Sequence, residues 1–216
     1  IKGAIWYQGE SNVSRSSNYA KLKNSMIEGW RREWSQGSFP FYFVQISPYK
    51  YDGIDKSSSA FLREAQLNTM FNTSNTGMVV SLDVGDENSI HPSRKFILGK
   101  RLAYWALNKD YGFSKIEFSG PVFKSLEIKE NKVMIKFDFA ENGLFCPDDE
   151  INNFELASKD KVFFPANAKI MGNQLEVQSD KVKTPVHVRY GWKNYLKGNL
   201  FDVKGLPASS FRSDSW

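Results

Sequence analysis

The first half of the chain sets short apolar runs against longer stretches in which apolar residues recur every three or four positions. Lys2–Trp6 ("KGAIW") reads as a short strand buried on both faces. Ser17 and Asn18 are placed to cap a helix with Leu22, Met26, Trp30 and Trp34 on its apolar stripe, and Gly37 and Pro40 break it. Phe41–Ile46 ("FYFVQI") is a second apolar strand. Ser59 opens a helix through about residue 71, and Met78–Leu82 is a third apolar strand. Pro92 suits the first turn of a helix to about Lys109, with Ile97, Leu98, Leu102, Trp105 and Ala106 on its apolar side and Gly112 as its stop. Continuous apolar strands alternating with amphipathic helices predict an α/β unit with a parallel sheet covered on both faces. Three strands are few, since such sheets average about five or six, so the unit is expected to be incomplete on its N-terminal side.

From about Ser119 the period shortens to two. "SLEIKENKVMIKFDF" alternates on either side of Glu130-Asn131, a hairpin signal. Further short strands follow in "NFELAS", "KVFFPA", "AKIMG", "QLEVQS" and "HVRYGW", with no helix among them. The pattern predicts two domains: an α/β part over residues 1–118 and an antiparallel, sandwich-like β domain over residues 119–216.

Charge and composition remove several function classes. The net charge is +5, but the basic residues are scattered, so no nucleic-acid stripe forms. No run reaches the ~18 apolar residues of a membrane helix. Cys146 is the single cysteine, which excludes an internal disulfide and an all-cysteine metal site. No cofactor or metal is expected, because one loop histidine without regular ligand spacing is a poor metal site. Aromatics reach 15%. Tyr190, Trp192, Tyr195 and Trp216 offer a sugar-stacking platform, although aromatics in such a domain more often fill its core.

In a parallel sheet the C-terminal strand ends share one edge, where ligands bind. Here those ends supply Gln8, Gly9, Glu10 and Asn12, then Ser47, Tyr49 and Tyr51, then Asp83, Asp86, Glu87, Asn88 and His91. His91 is the sharpest candidate, a loop imidazole able to act as a base near neutral pH. His187 alternates with valines and reads as a β-domain residue. Ser11 lies outside a G-x-S-x-G elbow and reads as a turn or cap residue. Glu10 with Asp83 or Asp86 has the residue types of a glycosidase acid pair, or of carboxylates that orient their neighbours.

"GAIWYQGESN", "WRREW", "FPFYFVQISPY", "FLREAQ" and "GMVVSLDVGDENSIHPSRKFILGKRLAYWAL" together resemble the sialate O-acetylesterase family of SGNH-type hydrolases, and "VRYGWKNYLKGNLFDVKGLPASSFRSD" resembles that family's C-terminal β domain. The resemblance implies a partial three-layer α/β/α esterase domain followed by the β domain, and hydrolysis of acetyl esters on sugars by serine attack with histidine as base. The family's nucleophile lies in a Gly-x-Ser-Asn block near the start of its domain, and no such block is expected in this sequence. The "WYQGES" block comes well after it, so the chain is read as a C-terminal portion lacking the nucleophile, inactive alone, with the remainder of a longer protein as its partner. The resemblance assigns His91 as the catalytic histidine, Gln8 and Gly9 to the block whose donors face the oxyanion, and Glu10 to orienting its neighbours. It gives Asn12, Arg63 and Gln66 to the substrate side of the site, Arg63 and Gln66 with an equal structural reading. Such hydrolases commonly carry Asp three residues before the histidine; here that position is Asn88. A serine–histidine dyad, or an acid from elsewhere such as Asp86, is therefore expected. The favoured substrate is O-acetylated sialic acid, with acetylated xylan or another polysaccharide second, and a non-catalytic carbohydrate-binding module as the reading from another class. Family habit places such enzymes outside the cytosol.

Overall fold

The computed structural model describes all residues, Ile1–Trp216, and the chain forms two compact units. One is Ile1–Ser119 with Lys193–Tyr195, the other Gly120–Trp192 with Leu196–Trp216. Lys193–Tyr195, expected with the β domain, therefore belong to the first unit.

In the first unit β1 (Ala4–Tyr7), β2 (Phe41–Val44) and β3 (Thr76–Val79) form a parallel sheet in the order β1-β2-β3. Parallel crossovers need long connections, usually helical, and here these are α1 (Tyr19–Trp34) and α2 (Ser58–Asn72), with α3 (Lys95–Lys109) after β3. β2 is central and wholly buried. β1 is an edge strand, and Ile5 is 70% exposed, so the expectation of burial on both of its faces does not hold. The apolar stripe of α1 is also displaced. Its buried positions are Tyr19, Lys23, Ile27 and Arg31, while Leu22 and Trp34 are exposed. Two cations on the buried stripe are tolerated for different reasons. The Arg31 guanidinium donates to the carbonyls of Phe39 and Asn75, whereas the Lys23 ammonium lies 3.2 Å from the centroid of the Phe43 ring.

Between β1 and α1 the chain winds through a 3-10 segment, Glu10–Asn18, which the apolar pattern did not reveal. α3 begins at Lys95 rather than beside Pro92, and it is fastened by ion pairing to the segment that follows β3. Arg101 bonds both carboxylate oxygens of Asp83, at 2.8 and 2.7 Å, and the Val80 carbonyl.

The second unit is antiparallel, as its period-two pattern predicts. β4 (Val122–Lys129) and β5 (Lys132–Asp138) form the expected hairpin, with Glu130 at φ 56° in the turn. They join β7 (Ile151–Ala157), β8 (Phe163–Met171), β9 (Gln174–Gln178), β10 (His187–Tyr190) and β12 (Phe211–Arg212) in one seven-stranded sheet, ordered β12-β10-β7-β8-β9-β5-β4. β6 (Leu144–Phe145) and β11 (Phe201–Asp202) make a separate ribbon. This corrects the sandwich expectation. The long sheet curls until its edges meet, with Phe123 of β4 stacked on Phe211 of β12 at 4.6 Å, and it is nearly a barrel. Strand twist accumulated over seven strands is what brings the edges together. Tyr190 and Trp192 lie in this core with almost no exposed surface, so they are not a sugar platform. Trp216 keeps an exposed face.

Candidate active site

The C-terminal end of β1 is shaped by Gly9. A Cβ at this position would stand 2.9 Å from Ile46 Cγ2 and 3.0 Å from Gln66 Nε2, closer than packed atoms tolerate, so only glycine passes under these groups. The turn is closed by Asn12 N–H donating to the Gly9 carbonyl at 2.8 Å. It presents Gln8 with its amide fixed at both ends. Gln8 Nε2 donates to Asn12 Oδ1 at 2.9 Å, and Gln8 Oε1 accepts from the Tyr19 hydroxyl at 3.2 Å. One N–H of Gln8 Nε2 stays unengaged, which is what an oxyanion donor requires.

Arg63 and Gln66 are both fully buried. Gln66 accepts from Ile46 N–H at 2.8 Å and donates to the Gln8 carbonyl at 3.3 Å. Arg63 donates to Ser59 Oγ and to the Lys193 carbonyl, and burial pulls its pKa down to about 10. The structure thus places Gln66 beneath the turn as a support of the strand ends and ties Arg63 to the Lys193 backbone, with no surface for a ligand on either.

Glu10 reaches three phenols by charge. Burial raises the pKa of Tyr7 and the Glu10 carboxylate adds to it. Tyr19 is pushed up to about 12, mainly by burial, with Glu10 contributing. Tyr51 is raised further still by the same two causes. Glu10, Ser11, Tyr51, Asp52 and Ser58 line a cleft of about 470 Å³. Tyr51 sits at φ 41°, a left-handed conformation unusual for a bulky residue, and its hydroxyl is buried without a partner. At the same edge the Tyr7 hydroxyl and Ser47 Oγ bond at 2.9 Å, and Lys95 Nζ stands 4.4 Å above the Tyr7 ring. Tyr7 and Lys95 were not singled out from the sequence. Tyr7 is hidden within an apolar strand, and Lys95 has no motif, only its place four residues after His91.

His91 is exposed in the loop after β3. Ser89 clamps its backbone: Ser89 Oγ accepts from His91 N–H at 3.2 Å and donates to the His91 carbonyl at 3.1 Å. Its imidazole makes no hydrogen bond. Asp86 Oδ1 accepts from the N–H groups of Asn88 and Ser89, so this carboxylate builds the turn, and Asn88 Oδ1 accepts from Lys50 Nζ. Asp83 is committed to Arg101, which removes it from any glycosidase pair with Glu10.

A model of the carbohydrate esterase family of sialic acid-specific acetylesterases matches residues 1–108. The chain belongs to this family. Family relatives include the mouse sialate O-acetylesterase, 27% identical over 217 residues, which cover 90% of this chain and 40% of that protein. The human sialate O-acetylesterase is 28% identical over 220 residues, covering 90% and 41%. Among solved structures, a carbohydrate acetylesterase from Xanthomonas citri superposes with a TM-score of 0.93 at 38% identity, covering 100% of this chain and 51% of that one. The chain thus spans about two fifths of the curated relatives' length. Gly9-Glu10-Ser11-Asn12 has the Gly-x-Ser-Asn spelling that the resemblance implies for a serine block. The expectation that no such sequence occurs here is corrected on this point. Ser11 is exposed at the head of the 3-10 segment and lines the cleft beside Glu10.

Proposed function

We propose that this chain carries the histidine and oxyanion-donor side of a serine esterase site that removes acetyl groups from carbohydrates, with O-acetylated sialic acid as the favoured substrate. The observation that carries the reading is the shared edge. Gln8 with its unengaged amide N–H follows β1, and His91 follows β3, within one parallel sheet of a family member. In this mechanism a serine attacks the acetyl carbonyl, the His91 imidazole takes the hydroxyl proton, and the tetrahedral oxygen is stabilised by Gln8 Nε2–H. Such a donor contributes roughly 3 kcal/mol in acyl transfer. His91 then returns the proton to the departing sugar oxygen, and water repeats the sequence to release acetate. Glu10 acts on the tyrosines around the cleft by charge.

The serine is assigned to a block other than Gly9–Asn12, supplied by the longer polypeptide of which the relatives are examples. Ser11 is the second reading, favoured by its spelling and its place in the cleft. Acetylated xylan is the alternative substrate. The test is a titration of the 216-residue chain with O-acetylated sialic acid, followed by the ring signals of its two histidines. His91 should shift and His187, in the other unit, should not. No shift of His91 at saturating sugar would remove the reading.

A further inference from the structure

Lys23 carries the one side chain on the sheet-facing stripe of α1 whose charge nothing answers. The residue is 3% exposed, and its Nζ makes no hydrogen bond. Burial alone holds its pKa well below the ordinary lysine value. An ammonium taken out of water without a counter-charge is costly, and contact with the Phe43 ring returns only part of that. Lys23 also lines a cavity of about 110 Å³ together with Trp6, Gln8, Asn12, Tyr19, Leu22 and Met26. The walls divide by chemistry. Trp6, Leu22 and Met26 are apolar. Asn12 has its Oδ1 engaged by Gln8, while its amide Nδ2 makes no bond and can donate. The four-carbon lysine stem lets the ammonium turn from the Phe43 ring toward the cavity.

We propose that this cavity is a binding site for a small carboxylate of the acetate class. The carboxylate would lie between the Lys23 ammonium and the Asn12 amide, with its methyl group against Trp6, Leu22 and Met26. The volume suits a ligand of a few heavy atoms and excludes a sugar. The site shares Gln8 with the proposed oxyanion donor, so in the proposed reaction it would hold the acetate that the reaction releases. That link rests on the esterase reading; the binding itself does not.

The test titrates the 216-residue chain with ¹³C-labelled acetate, read by the labelled carboxylate's line width and by the Lys23 side-chain signals. Saturable binding is expected, weakened at least ~10-fold in Lys23→Met and in Met26→Trp, which fills the cavity. Lys23→Met removes an unpaired buried charge and keeps the apolar stem, so it should fold at least as well as the parent. Chloride at equal concentration should not displace acetate. Non-saturable line broadening, equal binding by both variants, or equal competition by chloride would overturn the proposal. Acetate binding in a chain whose His91 ignores O-acetylated sugar would keep this site and remove only the esterase reading; a responsive His91 without acetate binding would do the reverse.

Discussion

At the scale of single residues, the candidate site depends on one position without a side chain. Gly9 lets the chain turn under Ile46 and Gln66, and the same turn aims Gln8. Gly9→Ala should therefore cost about 1–3 kcal/mol of stability through overpacking, read as a lowered midpoint in urea, and it should shift the Gln8 amide signals. An unchanged midpoint would mean that the turn is slack. The residue types at this edge were legible in the sequence because polar side chains crowd abruptly after apolar strands. The roles of Arg63 and Gln66 were not. Both lie on α2, where spacing tells which face they share and not whether that face meets solvent or strand ends. Lys23 was invisible for a related reason: the apolar stripe Leu22-Met26-Trp30-Trp34 pointed one position away from the residues that are buried.

Elements are held in register by a few buried polar groups rather than by apolar packing alone. Asn194 is fully buried. It donates from Nδ2 to Asp52 Oδ1 at 2.7 Å and to the Gly53 carbonyl at 2.9 Å, and its Oδ1 accepts from Ser58 Oγ and from Ser59 N–H. It thereby joins the loop after β2 to the first turn of α2, beside the cleft. Asn194→Ala would orphan these partners together, a loss of roughly 2–3 kcal/mol, and would loosen the loop that carries Tyr51. Increased amide exchange over residues 49–59 is the expected readout; unchanged protection there would show that the loop holds itself. Helices α1 to α3 and strands β2 to β5 were legible from periodicity and hairpin spacing. The 3-10 segment was not, because its polar residues give no period. The near-barrel was not, because alternation tells that a strand has two faces and not how far a sheet curls.

For the molecule as a whole, the clearest sensitivity to acid lies at one carboxylate of the β unit. In the β unit, burial by itself raises the Asp214 carboxyl, but hydrogen bonding and charge from Arg189, with Arg212 adding charge, more than offset this, and its pKa lies below the ordinary 3.8. A depressed folded pKa gives stability that is present above the unfolded value and is lost as pH falls through the folded one. The β unit should therefore weaken below about pH 4, and Asp214→Asn should be less stable at neutral pH with a flatter acid limb. An acid limb of unchanged slope in the variant would place the sensitivity elsewhere.

Acetate release from O-acetylated sialic acid decides the role of His91. It should be measured for the 216-residue chain and for a chimera in which this chain replaces the matching half of the Xanthomonas citri carbohydrate acetylesterase. Background release is expected from the chain alone, with release from the chimera and a loss of at least ~10³-fold in the chimera on His91→Ala. A folded His91→Ala chimera that keeps its rate would contradict the role of His91. Full-rate release by the chain alone would contradict a serine outside residues 1–216 and make Ser11 the nucleophile.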